Sequence, residues 1–162
     1  MDEELLKRQQ PQSLEAEQAV LGSILIDSRC VTDVVGLLRP EDFYLKQNRE
    51  IYETIYTMFN FSQTIDPVTV LDKLKELGYY HDNSRDYILQ LMEITPTAAN
   101  VVRYANIVRD KAMLRGLEQA GKEIVETVTT QVGTPSEMLE SAEKKIYALR
   151  KGERGDSLEH IG

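Results

Sequence analysis

Residues 97–150 read TAANVVRYANIVRDKAMLRGLEQAGKEIVETVTTQVGTPSEMLESAEKKIYALR, and this stretch decides the fold. It predicts one long helix over 97–131, a glycine turn, and a second helix that folds back as far as residue 150. At about 1.5 Å per residue the first helix extends for roughly 50 Å, against a radius of gyration near 13 Å for a domain of about 100 residues, so part of it should project. Leu114, Leu117, Gly121, Ile124 and Val128 recur along it at spacings of three and four, the stripe of a helix that buries one side. Gly133 suits the left-handed position after a helix, and Thr134, Pro135, Ser136 and Glu137 form a capping box with Pro in the first turn. The second stripe, Met138, Leu139, Ala142, Ile146 and Leu149, is expected to zip onto the first as an antiparallel hairpin. Two helices alone leave apolar surface wet, and each exposed Leu or Ile forgoes about 1.5 to 3 kcal/mol of burial. A second hairpin closing a four-helix bundle covers it, so these ten residues are the expected interface of a homodimer, or of a ring containing that dimer.

The chain ahead of this hairpin reads as a globular helical subdomain over 13–96. Residues 1–12 lack an apolar period and are expected to form a flexible leader. Ser13 is a good N-cap, Glu15 and Glu17 put negative charge on the first turn, and Ala16, Val20 and Ile24 carry a helix to Ile26. Val31, Val34, Val35 and Leu38 form the inner side of a second helix that stops before Pro40, and Phe43 and Tyr44 follow as plugs for the core. A third helix spans 47–61 with Ile51, Ile55, Met58 and Phe59 inward. Asp66 and Pro67 open a fourth, which Gly78 ends, and Tyr87, Ile88, Leu91 and Met92 mark a short fifth closed by Thr95 and Pro96. Nothing alternates with period two for long enough to be a strand. The fold class is therefore all-α, a globular bundle followed by a long hairpin, with the Gly-rich, charged 151–162 read as the start of a linker.

Composition narrows the function classes. At 41% hydrophobic and 28% charged, the 162 residues hold enough apolar material for one domain with an appendage. No apolar run approaches the ~20 residues of a membrane span, and the polar start lacks a signal-peptide core, which predicts a cytoplasmic protein with no membrane role. The lone Cys30 and two scattered histidines, His81 and His160, predict neither a disulfide nor a zinc site. A formal charge of −8, with Lys and Arg spread among Asp and Glu, argues for solvated helix faces and little direct DNA binding.

Catalytic patterns fail on their chemistry. Gly116, Gly121 and Lys122 fit the start of a phosphate loop, but Glu123 stands where Ser or Thr should bind magnesium, and the glycines lie inside a helical period. Gly121 is better read as a small residue for close helix approach. The pairs Glu15 with Glu17, and Glu137 with Glu140 and Glu143, fall at hydrophilic positions expected to be exposed, without the apolar pocket that raises a catalytic pKa. Tyr52, Tyr56 and Tyr104, at helical spacing, read as core or interface rather than base-stacking platforms. No catalytic, metal or cofactor residues are predicted.

A resemblance adds to this reading. Pro11, Glu15, Ala16, Glu17, Ala19, Val20, Leu21, Gly22, Ser23 and Ile24 resemble the opening of the N-terminal domain of the bacterial replicative DNA helicase, the DnaB family. Phe43 and Tyr44; Asp66, Val68 and Thr69; Pro96, Thr97 and Asn100 ahead of Tyr104 and Ala105; and Ala142, Glu143 and Ile146 continue the likeness, which covers about 11–149. It implies a noncatalytic oligomerisation domain whose hairpin pairs with its neighbour's, three pairs forming the collar of a hexameric ring. An ATPase motor, using ATP and magnesium, would follow the linker. The resemblance also implies docking of the C-terminal domain of primase, on a surface including Tyr87, Glu118 and Ile124. Glu118 replaces a residue commonly apolar in the family, and Asp82 to Asp86 replace a Gly-rich approach to Tyr87, so a weaker or differently arranged contact is expected. The competing readings are the helicase-binding domain of a primase, a direct single-strand DNA-binding module, and an isolated enzyme.

Overall fold

The computed structural model describes residues 10–161, with side-chain surroundings through Arg150. Seven α-helices and no strand occur among the described residues. Of the leader expected over 1–12, residues 1–9 lie outside the described residues. The described residues divide into two compact units, 12–111, and 112–161 with 10–11. The expected division at 96/97 thus falls at 111/112, because Val101, Ala105 and Val108 of the long helix are buried in the core of the first unit.

Helix α1, Leu14–Ile26, is the centre of that unit. Ser13 caps it, its Oγ accepting from the Ala16 amide at 3.2 Å. The sequence shows one stripe, yet every residue from Val20 to Leu25 is buried. Gly22 permits this, since a Cβ there would overlap the Leu91 carbonyl and the Thr95 side chain.

The helix expected before Pro40 is shorter than its apolar pattern. A 3-10 turn, Ser28–Cys30, leads into the five-residue α2, Val31–Val35. The Asp27 carboxylate accepts from the Arg29 amide and guanidinium and favours the tight turn. Phe43 leaves the following 3-10 turn, Pro40–Asp42, fully buried and stacked on Tyr52 at 4.7 Å between ring centroids. Helix α3, Lys46–Asn60, presents Ile51, Tyr52, Ile55 and Met58 to the same core.

Helix α4, Pro67–Leu77, has the caps its sequence announces: Asp66 accepts from the Thr69 amide at 2.8 Å, and Gly78 ends the helix at φ 80°. Helix α5, Ser84–Glu93, begins ahead of the apolar residues that mark it in the sequence, because the buried Ser84 hydroxyl accepts from the His81 amide and closes the turn. Helix α6, Val101–Thr130, starts after the expected Thr97, whose hydroxyl instead accepts from Ala99 N–H in a turn of its own. Helix α7 is Pro135–Ile161, so the backbone of the segment read as the start of a linker is helical as far as residue 161. No helix among the described residues is long and apolar enough to cross a membrane.

Candidate interaction surface

The α6–α7 turn follows its sequence signals. Gly133 adopts φ 90°, where a side chain would be strained, and Gln131 precedes it at φ 52°. Thr134 Oγ1 accepts from Glu137 N, and Glu137 Oε1 accepts from Thr134 N, both at 3.2 Å. This reciprocal capping box starts α7 on its return along α6.

The two helices meet along lines other than those expected. Leu149 packs against Gly116, where a Cβ would lie 2.6 Å from Leu149 Cδ2, and Ala120 is buried. Glu123 and Thr127 face Met138, Ser141 and Lys145 across an open groove of about 530 Å³. Gly116 is therefore the small residue that allows close approach within the chain, and a Cβ at Gly121 meets nothing within 4 Å. The expected zipping of stripe on stripe is corrected accordingly: Ile124, Met138, Ala142 and Leu149 are partly buried, while Leu114, Leu117, Gly121, Val128, Leu139 and Ile146 are exposed.

Those exposed residues form a face. On α6, at about 100° per residue, Leu114, Leu117, Gly121, Val125 and Val128 fall within about 40° of the Gly121 direction. The side turned to α7, through Gly116, Ala120 and Thr127, lies roughly 100° to 140° away. Val125, at 65% exposed, and Val132, at 69%, are more open than Leu114 and Leu117, at 45% each. Neither was in the expected interface, although their spacing from Gly121 and Val128 was available in the sequence. On α7 Leu139 and Ile146 are also open, with Tyr147 beside them.

The three docking candidates fall in different settings. Glu118 lies on α6 beside the apolar face and pairs with Lys122 at 3.4 Å, while Ile124 is half-buried between that face and α7. Tyr87 belongs to the other unit, where its hydroxyl donates to Asn48 Oδ1 and accepts from Gln18 Nε2. Desolvation raises the Tyr87 pKa, with the Gln18 and Asn48 hydrogen bonds opposing it and the Glu17 carboxylate adding to it.

Behind Tyr87 stands a residue misread from the sequence. Glu17 was expected to be exposed on the first turn of α1; its side chain is buried and accepts from Tyr44 N at 2.7 Å, Leu45 N at 3.3 Å and Asn48 Nδ2 at 3.0 Å. The carboxylate thus sits at the start of α3, whose N-cap Leu45 has no side-chain acceptor of its own. Only the unsuitability of Leu as a cap hinted that an acceptor must come from elsewhere.

Gly116, Gly121 and Lys122 all lie inside α6, so their backbone N–H groups are not splayed around a phosphate as a phosphate loop requires. Among the described residues no three His, Cys, Asp or Glu side chains converge as a metal ion would need.

Residues 9–110 match the family model of the DnaB-like helicase N terminal domain. The chain belongs to that family. A crystal structure of the N-terminal domain of DnaB helicase from Mycobacterium tuberculosis is similar to it with a TM-score of 0.81 and 36% identity, covering 87% of this chain and 99% of the other. The family model stops at residue 110, whereas coverage of 87% of the chain carries this structural likeness beyond it. The replicative DNA helicase DnaB of Leifsonia xyli subsp. xyli is 35% identical over 144 residues, 88% of this chain and 32% of the relative. That of Geobacillus stearothermophilus is 31% identical over 167 residues, 99% of this chain and 36% of the relative. The chain spans about a third of the length of these curated relatives.

Proposed function

We propose that this chain is the noncatalytic oligomerisation and primase-docking domain of a bacterial, cytoplasmic replicative DNA helicase. The observation that carries the reading is the exposed apolar face of α6 and α7 in a DnaB N-terminal family member: a second hairpin is the natural cover for it. Self-association through this face gives a dimer, and three dimers give the collar of a hexameric ring. ATP and magnesium belong to a motor domain in the full helicase, and this domain itself needs no cofactor. Tyr87, Glu118 and Ile124 are the proposed contacts for the C-terminal domain of primase, with Glu118 a polar departure that weakens or shifts the contact.

Two measurements test the reading. Multi-angle light scattering of the chain should give at least the dimer mass, and Leu117→Asp should bring it to the monomer with helical content unchanged, since Leu117 is half-open in the single chain. A monomer at high micromolar concentration for the unaltered chain overturns self-association. Titration with the cognate primase C-terminal domain should give saturable binding that Tyr87→Ala weakens. No binding at all would remove the docking role.

A further inference from the structure

We propose that the groove between α6 and α7 near their connecting turn is a docking site for a cationic amphipathic helix of a partner protein. The groove lies wholly within the unit that holds the hairpin, and its floor is largely apolar. Thr127 Oγ1 donates to the Glu123 carbonyl at 2.8 Å and Thr130 Oγ1 to the Glu126 carbonyl at 2.9 Å, so both hydroxyls are taken up by their own helix and the methyl groups are left to the groove. Met138 and Val132 line it with them. This surface is separate from the open apolar face. Glu123, Glu126, Thr127 and Thr130 lie roughly 120° to 180° around α6 from the Gly121 direction. On α7, Ser141 and Lys145 lie on the other side of Ala142 from Leu139 and Ile146. A second hairpin covering the Gly121 side therefore leaves the groove open, and the site does not rest on the self-association proposed above.

Charge identifies the occupant. Between Lys122 and Lys144 the chain carries five Glu and no Lys, Arg or Asp. Glu123, Glu126 and Glu137 line the groove, and none of these is in an ion pair among the described residues. Lys145 lines it as well, with its ammonium group donating to Ser141 Oγ at 3.0 Å. Such a surface repels the phosphates of a nucleic acid and attracts Lys and Arg. Exposed ion pairs add little by themselves, so cations alone would not hold. An apolar side chain seated on Met138 and the threonine methyl groups supplies the rest by burial. A helix presents such a residue with cations three and four positions away on the same face, which is the pattern the groove complements.

Fluorescence anisotropy with the 162-residue chain tests the site. The probe is a labelled synthetic helical peptide with one central Leu and Lys three and four residues to either side of it. Saturable binding that weakens as salt is raised is expected, with the amide resonances of Thr127, Thr130 and Met138 moving during the titration. Glu123→Gln combined with Glu126→Gln should raise the dissociation constant roughly tenfold. Glu140→Gln combined with Glu143→Gln makes the same change in net charge outside the groove and should alter it by less than about twofold. Circular dichroism checks that both variants keep the parent's helical content. Replacing the peptide's central Leu by Ser should also weaken binding roughly tenfold. Leu117→Asp should leave binding unchanged, so that loss of self-association and loss of this site are read separately. Equal effects of the two Glu pairs, indifference to the peptide's Leu, loss of binding with Leu117→Asp, or no saturable binding overturns the proposal.

Discussion

Glu17 shows how much one side chain can connect. It joins α1 to the start of α3, and its neighbour Asn48 passes the network on to Tyr87 on α5. Glu17→Ala removes the carboxylate that accepts from the Tyr44 and Leu45 amides and from the Asn48 side chain, and should lower unfolding stability in urea by about 3 kcal/mol. Tyr52 is a second case, buried with its hydroxyl donating to the Leu38 carbonyl at 2.9 Å. Burial raises its pKa well above the ordinary tyrosine value of 10.0, with Tyr56 and Asp42 adding to the rise. The unfolded chain therefore ionises first as pH increases. Tyr52 contributes its full stability below pH 10, and the contribution falls above it by up to about 1.4 kcal/mol per pH unit. Tyr52→Phe should cost about 1 to 2 kcal/mol at pH 7 and flatten the alkaline limb of the urea-unfolding profile. Cys30 is also shielded: burial, then Asp27 and Asp33, push its thiol up to about 11. Its thiolate fraction at pH 8 is about 100-fold below that of a thiol at 9.0, so alkylation by iodoacetamide should be slow in the native chain and fast in denaturant.

Among the elements, the contact of α1 with α5 depends on Gly22. Gly22→Ala forces the Leu91 backbone and Thr95 apart and should destabilise by about 2 to 3 kcal/mol, although Ala is the better helix former. Gly121→Ala has the opposite environment, since nothing in its own chain opposes a methyl group there. It should raise the helicity of the monomer and weaken association. The long helix α6 uses its first residues as core and its later residues in two ways, one line turned to α7 and one left open. That division explains why a single apolar stripe read from the sequence mixed both: Ile124 lies between the lines, so a pattern of threes and fours passes through it without distinguishing them.

For the molecule as a unit of assembly, association links stability to concentration. If the native chain dimerises and the unfolded chain does not, the thermal midpoint should rise as protein concentration is raised a hundredfold, by an amount set by the dimer dissociation constant. Leu117→Asp should abolish that dependence, while the midpoint at high dilution stays close to the parent value because the residue is half-open before association. A midpoint independent of concentration in the unaltered chain would exclude coupled folding and dimerisation over that range.

Local chemistry was legible in the residues. Ser13, Asp66, Gly78, Gly133 and the Thr134–Glu137 box announce helix ends through groups only a few positions apart, so caps and element order follow from the chain alone. The all-α class and the DnaB likeness follow from the same local patterns. What depended on the tertiary structure involves partners distant along the chain: Glu17 buried under α3, Gly22 beneath Thr95, Gly116 under Leu149 and Gly121 open. An amphipathic pattern shows that a side chain has reason to be covered, but which of two glycines lies at a contact is decided by where the returning helix passes. That path is fixed by turn geometry and side-chain volumes acting across the fold.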